Sequence, residues 1–168
     1  MRRRLVCVVI AMLAVLTLGI AAAPAAERVV VPKPGAATVC PVCGMFVTKF
    51  PEWTATVVYR DGHAHFFDGA KDMFKYLSDL PRYAPGHRAD DIVTIAVMDY
   101  YDVEPIDAKT AFYVIGSDVY GPMGRDLVPL ATRSEAEEFL KDHHGSSIVR
   151  FEQVSRGIIE SLDRGEGN

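Results

Sequence analysis

The stretch Trp53–Ser78, WTATVVYRDGHAHFFDGAKDMFKYLS, decides the fold. Trp53 to Arg60 is dense in Thr, Val, Trp and Tyr, which suit a pleated, half-buried strand. Asp61-Gly62 supplies a strong turn signal, because glycine enters the left-handed conformation that a tight hairpin needs. The chain then returns along His63 to Phe67 as a second strand. Asp68 stands where an N-cap belongs, and from Gly69 to Ser78 the residues Ala70, Met73, Phe74 and Leu77 recur at helical spacing. Leu80-Pro81 ends that helix, and Pro85-Gly86-His87 marks a loop. Ile92 to Tyr101 reads as a largely apolar, central strand.

A shorter copy of the same plan follows. Ala111 to Ile115 reads as a strand, and Gly116 to Gly124 as a glycine-rich loop holding Pro122 and Met123. Leu127 to Ala131 is extended. Thr132 or Ser134 caps a helix from Glu135 to about His143, with Ala136, Phe139 and Leu140 on its apolar side. Gly145 stops it, and Ser147 to Glu152 returns as a strand. The repetition predicts an α+β fold of two similar ββαβ-type halves, about residues 40–101 and 102–154, sharing one compact domain. Residues 26–39 read as an extended linker, and residues 155–168 as a flexible tail with room for one short helix.

Outside the domain, Arg2, Arg3 and Arg4 precede an apolar run from Leu5 to Ala23, interrupted only by Thr17 and Gly19. A basic start, an apolar core and the small-residue site Ala23-Pro24-Ala25 describe a secretory signal peptide over residues 1–25. Left uncleaved, the run approaches spanning length and would tether the chain to a membrane. Either way the domain is exported, with the periplasm as its expected location. The whole chain carries 18 basic against 22 acidic residues, and losing the three arginines makes it more acidic still. That balance excludes nucleic-acid binding driven by phosphate attraction, and a 49% hydrophobic composition excludes a disordered chain.

Cys7 leaves with the leader, so Cys40 and Cys43 remain, too few for a disulfide framework. Cys40-Pro41-Val42-Cys43-Gly44-Met45 sets two thiols and a thioether in one turn, a soft-ligand cluster suited to Cu(I), with zinc as the less favoured ion. A turn-stapling disulfide and a redox pair are the competing readings. A redox pair needs a helix N-terminus to lower its thiol pKa, and Gly44, Val47, Thr48 and Pro51 oppose a helix here. A zinc ribbon needs a second ligand pair, and only His63 and His65 are placed to offer one. These two share a strand face, either as ligands or as ordinary exposed polar residues. Met73 belongs to the apolar helix face, whereas Met123 lies in a glycine-flanked loop with no packing period, a placement that suits a ligand or a plain surface residue. Phosphate loops, nucleophile elbows and paired catalytic carboxylates are absent from the sequence.

Taken together, Cys43-Gly44-Met45, the segment Phe66 to Phe74, and the Met123-Gly124 loop leading into Leu127-Val128-Pro129-Leu130 and an acidic helix resemble the NosL family. The resemblance covers roughly residues 40 to 154. It implies a non-enzymatic, exported Cu(I) chaperone that delivers copper for the copper-sulfide centre of nitrous oxide reductase. Its partners would be that reductase and a membrane ABC-type maturation complex. With the soft-ligand reading, it points to one Cu(I) between Cys43, Met45 and Met123, with Cys40 as a fourth sulfur and His65 and His63 as lesser candidates. Family members are typically anchored through a cysteine at the cleavage site, which this chain lacks. Cys40 is an addition to the family motif, either a ligand or a disulfide partner of Cys43. The alternatives from other classes are a thiol-disulfide oxidoreductase using Cys40 and Cys43, and a heavy-metal sequestering protein.

Overall fold

The computed structural model describes residues 24–166, so the leader and anchor readings of the N-terminal run lie outside the described residues. Among the described residues no helix is long and apolar enough to cross a membrane.

The first half follows the expected order. Strands β1 (Ala55–Tyr59) and β2 (Ala64–Phe67) pair antiparallel, with Val57 opposite His65. Gly62 sits at φ 85°, the left-handed conformation that the turn demands. Period-two alternation along β1 sends Ala55, Val57 and Tyr59 into the core. Helix α1 (Ala70–Ser78) buries Met73 and Tyr76 completely, while Leu77 is only half-buried, so Tyr76 completes the apolar stripe. The helix breaks at Asp79 into a short α2 (Leu80–Tyr83). Strand β3 (Ile92–Met98) then enters between β1 and β4 (Pro105–Asp107), giving the order β2-β1-β3-β4.

Strand β4 corrects the boundary between the halves. It falls in the stretch assigned to the second half, yet pairs with β3, Val97 opposite Ile106. A turn held by the Asp102 amide donating to Asp99 Oδ2 at 2.8 Å folds it back. Residues 26–29 run along β4: the Val29 amide donates to the Pro105 carbonyl at 3.0 Å and the Asp107 amide to the Glu27 carbonyl at 2.7 Å.

The second half comprises β5 (Phe112–Ile115), β6 (Tyr120–Gly121), β7 (Gly124–Arg125), β8 (Val128–Leu130), α3 (Arg133–Asp142) and β9 (Ser147–Arg150). Its sheet order, β8-β5-β9, repeats β2-β1-β3: the first strand is central and a helix joins the two that flank it. The expected open loop around Met123 is instead a hairpin, β6 against β7, with Pro122 and Met123 at its tip. Thr132 caps α3 in a reciprocal box with Glu135. Alternation along β5 turns Phe112 and Val114 toward Phe139 of α3, and Tyr113 toward α1. There Tyr113 meets Phe74 with ring centroids 5.3 Å apart, so the halves share one core.

The tail expectation is also corrected. Residues Arg156–Asp163 form α4, packed on α1, with Ile159 and Leu162 buried to 5% and 2% exposure. Excluding water from two such side chains stabilises by on the order of 1.5–3 kcal/mol each. A two-turn helix needs that tertiary support, because alone it would not form.

Candidate metal centre

The Cys40–Met45 segment is a tight loop closed by its own backbone. The Cys40 amide donates to the Met45 carbonyl at 2.8 Å and the Gly44 amide to the Cys40 carbonyl at 2.9 Å, with Val39 bridged to Phe46. Gly44 adopts φ 79°, which a side chain would strain, so the glycine after Cys43 is a requirement of the loop. Only short 3-10 turns follow, at Val47–Lys49 and Pro51–Trp53. No helix therefore begins at the cysteines themselves; the thiols instead face the start of α1, where Asp72 stands in the first turn.

Both cysteines are free thiols, Cys40 buried to 1% exposure and Cys43 half-buried. Each faces a carboxylate: Cys43 Sγ donates to Asp68 Oδ1 at 3.2 Å and Cys40 Sγ to Asp72 Oδ2 at 3.4 Å. One ligand atom from each of Cys40, Cys43, Asp68 and Asp72 lies within 4.8 Å of all the others. Ligands about 2.3 Å from a single tetrahedral ion stand about 3.8 Å apart, so this spacing fits one ion. Burial pushes the Cys40 thiol up to about 12, with the Asp72 charge and a hydrogen bond to Asp68 adding to it. Burial raises the Cys43 thiol as well, and both carboxylates reinforce the effect. Ionising both thiols beside two buried carboxylates would gather negative charge in a low dielectric, unless a cation sits among them. Asp68 Oδ2 is buried without a hydrogen-bond partner, further acceptor capacity at the same place.

Sequence reading missed these aspartates because Asp68 resembled an N-cap. The structure fills that role from the other half. Asp126 Oδ1 accepts from the Lys71 amide at 2.7 Å, on the first turn of α1, and from the Leu127 amide at 2.7 Å. Gly69 is the actual cap residue and makes no side-chain cap bond. A Cβ there would collide with Asp126 Oδ2, so Gly69 makes room for the remote cap. Asp68 is thereby released toward Cys43. The one available signal was that Asp68 and Asp72 flank the expected start of α1, four residues apart.

The same contact between halves places Met123. Its side chain is 45% exposed, and it lines one cavity of about 330 Å³ with Cys43, Asp72, Lys75 and Ile159. Buried Lys71 donates from Nζ to the Met123 carbonyl at 3.0 Å and lies 3.4 Å from Asp163 Oδ1. Lys75 Nζ lies 2.7 Å from Asp163 Oδ1 and 3.3 Å from Asp72 Oδ1, joining the thiol-facing carboxylate to the Met123 turn. Met45, half-buried, lies in the cysteine loop itself. His63 and His65 do not join this group: their rings, 4.7 Å apart, pack with His87. Burial, with the neighbouring His63 and His87, lowers His65 to about 4.

Comparison with known proteins places the chain in a family. A model of the NosL family matches residues 32–159. A copper-binding lipoprotein NosL from Stutzerimonas stutzeri is 29% identical over 122 residues, 72% of this chain; the match spans 64% of the relative's length. The crystal structure of the copper chaperone NosL from Shewanella denitrificans superposes with a TM-score of 0.64 at 23% identity, covering 76% of this chain and 97% of that one. That likeness carries the fold.

Proposed function

The chain belongs to the NosL family, and from that premise we propose that it is an exported carrier of one Cu(I). Cys43, Met45 and Met123 hold the ion, with Cys40 as the fourth sulfur, since Cu(I) prefers thiolate and thioether to oxygen. Asp68 and Asp72 then act as acceptors for the thiol protons and as orienting partners, not as primary ligands. The observation that carries this reading is the meeting of two free thiols and two buried carboxylates within 4.8 Å.

The domain would operate in the periplasm, with residues 1–25 as a cleaved leader or a retained anchor. Delivery proceeds by ligand exchange: the exposed Met123 leaves first, a recipient's sulfur takes its place, and the thiolates follow. The recipients we assign are nitrous oxide reductase, at its copper-sulfide centre, and a membrane ABC-type complex that assists the assembly. A dithiol oxidoreductase is disfavoured, because thiols raised by burial are poor nucleophiles at neutral pH.

The test is competition for Cu(I) with a chromophoric chelator under reducing conditions. Cys43→Ser should weaken binding beyond the roughly 10–100-fold typical of an outer-shell change. His63→Ala and His65→Ala should leave it nearly unchanged. Equal losses in all three variants would move the site onto the β1–β2 hairpin.

A further inference from the structure

Three imidazoles meet on the far end of the first sheet. His63 follows the Asp61-Gly62 turn, His65 lies on β2, and His87 follows Gly86 in the loop after α2. Their ring centroids are 4.7 Å (His63 to His65), 5.3 Å (His63 to His87) and 5.9 Å (His65 to His87) apart. A metal about 2 Å from a ring nitrogen stands about 3 Å from the ring centre, which sets three tetrahedral rings about 5 Å apart. The observed triangle matches that size. The nitrogens do not yet converge within 4.8 Å, so closure requires ring rotation, for which the exposed His63 has room.

Packing alone leaves one feature unexplained. Tyr59 lies 4.2 Å from His87 and Tyr76 lies 5.1 Å from His65, centroid to centroid, as in an ordinary aromatic cluster. Yet His65 Nε2 is buried with no hydrogen-bond partner, and a buried polar atom without one is unfavourable unless something else engages it. Beside the triad opens a cavity of about 510 Å³ lined by Tyr59, Asp61, His87 and Asp91. Its carboxylates favour a cation, although Arg60 offsets Asp91 from 3.8 Å. This cavity shares no lining residue with the one that holds Cys43 and Met123.

We propose that His63, His65 and His87 form a second metal site, separate from the sulfur centre, for a borderline divalent cation such as Zn(II) or Cu(II). All-imidazole ligation suits those ions and disfavours Cu(I) beside a competing thiolate site. His87 also lines the neighbouring cavity, where Asp61 stands as a further oxygen donor.

Zn(II) titration of the full chain by calorimetry, with the imidazole C–H signals followed by NMR, tests this. A binding step that shifts the signals of all three histidines is expected. His63→Ala and His87→Ala should each weaken that step at least about tenfold, the scale on which even outer-shell changes act, while Cys43→Ser leaves it intact. The dependence on the histidines decides, whatever Zn(II) also does at the cysteines, so a failure here is distinct from a failure of the copper reading. Zn(II) uptake lost only in Cys43→Ser, a step unaffected by both histidine variants, or no uptake at all would overturn the proposal.

Discussion

Asp126 links the halves, and its ionisation gives the sharpest test of the fold. It is 4% exposed, and desolvation raises its carboxyl from 3.8 to about 7, against the pull of two backbone amides and the Lys71 charge. A carboxyl whose folded pKa lies above its unfolded one keeps its proton longer in the folded state. Its contribution therefore lowers stability as pH rises, from near the unfolded value of 3.8 until the folded value of about 7 is passed. At about 1.36 kcal/mol per pH unit, the loss over that window is about 4 kcal/mol. Asp126→Asn keeps an Oδ1 for the Lys71 and Leu127 amides and removes the charge. Urea denaturation from pH 4 to 8 should show the stability of the variant rising relative to the parent by up to about 4 kcal/mol across that range. Asp126→Ala separates charge from capping: it strands both amides and should be less stable than Asn by about 1–3 kcal/mol at every pH. Parallel pH profiles for parent and Asn variant would refute the buried ionisation, and equal stability of the Asn and Ala variants would refute the remote cap.

Gly69→Ala should destabilise by about 1–3 kcal/mol, because the new methyl meets Asp126 and not because of backbone strain; Asp126→Ala in the same chain should recover part of that loss. Met123→Ala should lower Cu(I) affinity in the chelator assay yet leave the apo melting free energy within about 0.5 kcal/mol, since the side chain is 45% exposed. A drop of several kcal/mol would make it a packing residue instead. Ile159→Ala should cost about 2–5 kcal/mol in urea, as for a core residue, whereas a flexible tail would tolerate it without effect.

Local sequence was sufficient for the repeated strand, strand, helix, strand order. Turn chemistry at Asp61-Gly62, period-two alternation in β1 and β5 and the Thr132–Glu135 capping box are all short-range, so the residues that form them also announce them. That Cys40 and Cys43 share one tight loop was legible for the same reason, since their spacing is local. Pairings between distant segments were not legible. Strand β4 and the run along it at residues 26–29 carry no strong pattern of their own and exist because β3 offers an edge. Helix α4 looked like a tail because its two buried residues matter only when α1 is beneath them. Asp68 read as a cap until Asp126, 55 positions from Lys71 along the chain, supplied that hydrogen bond from the other half. What a carboxylate does depends on which donor lies nearest in space, and for Asp68 only the docking of the two halves settled that donor as the Cys43 thiol.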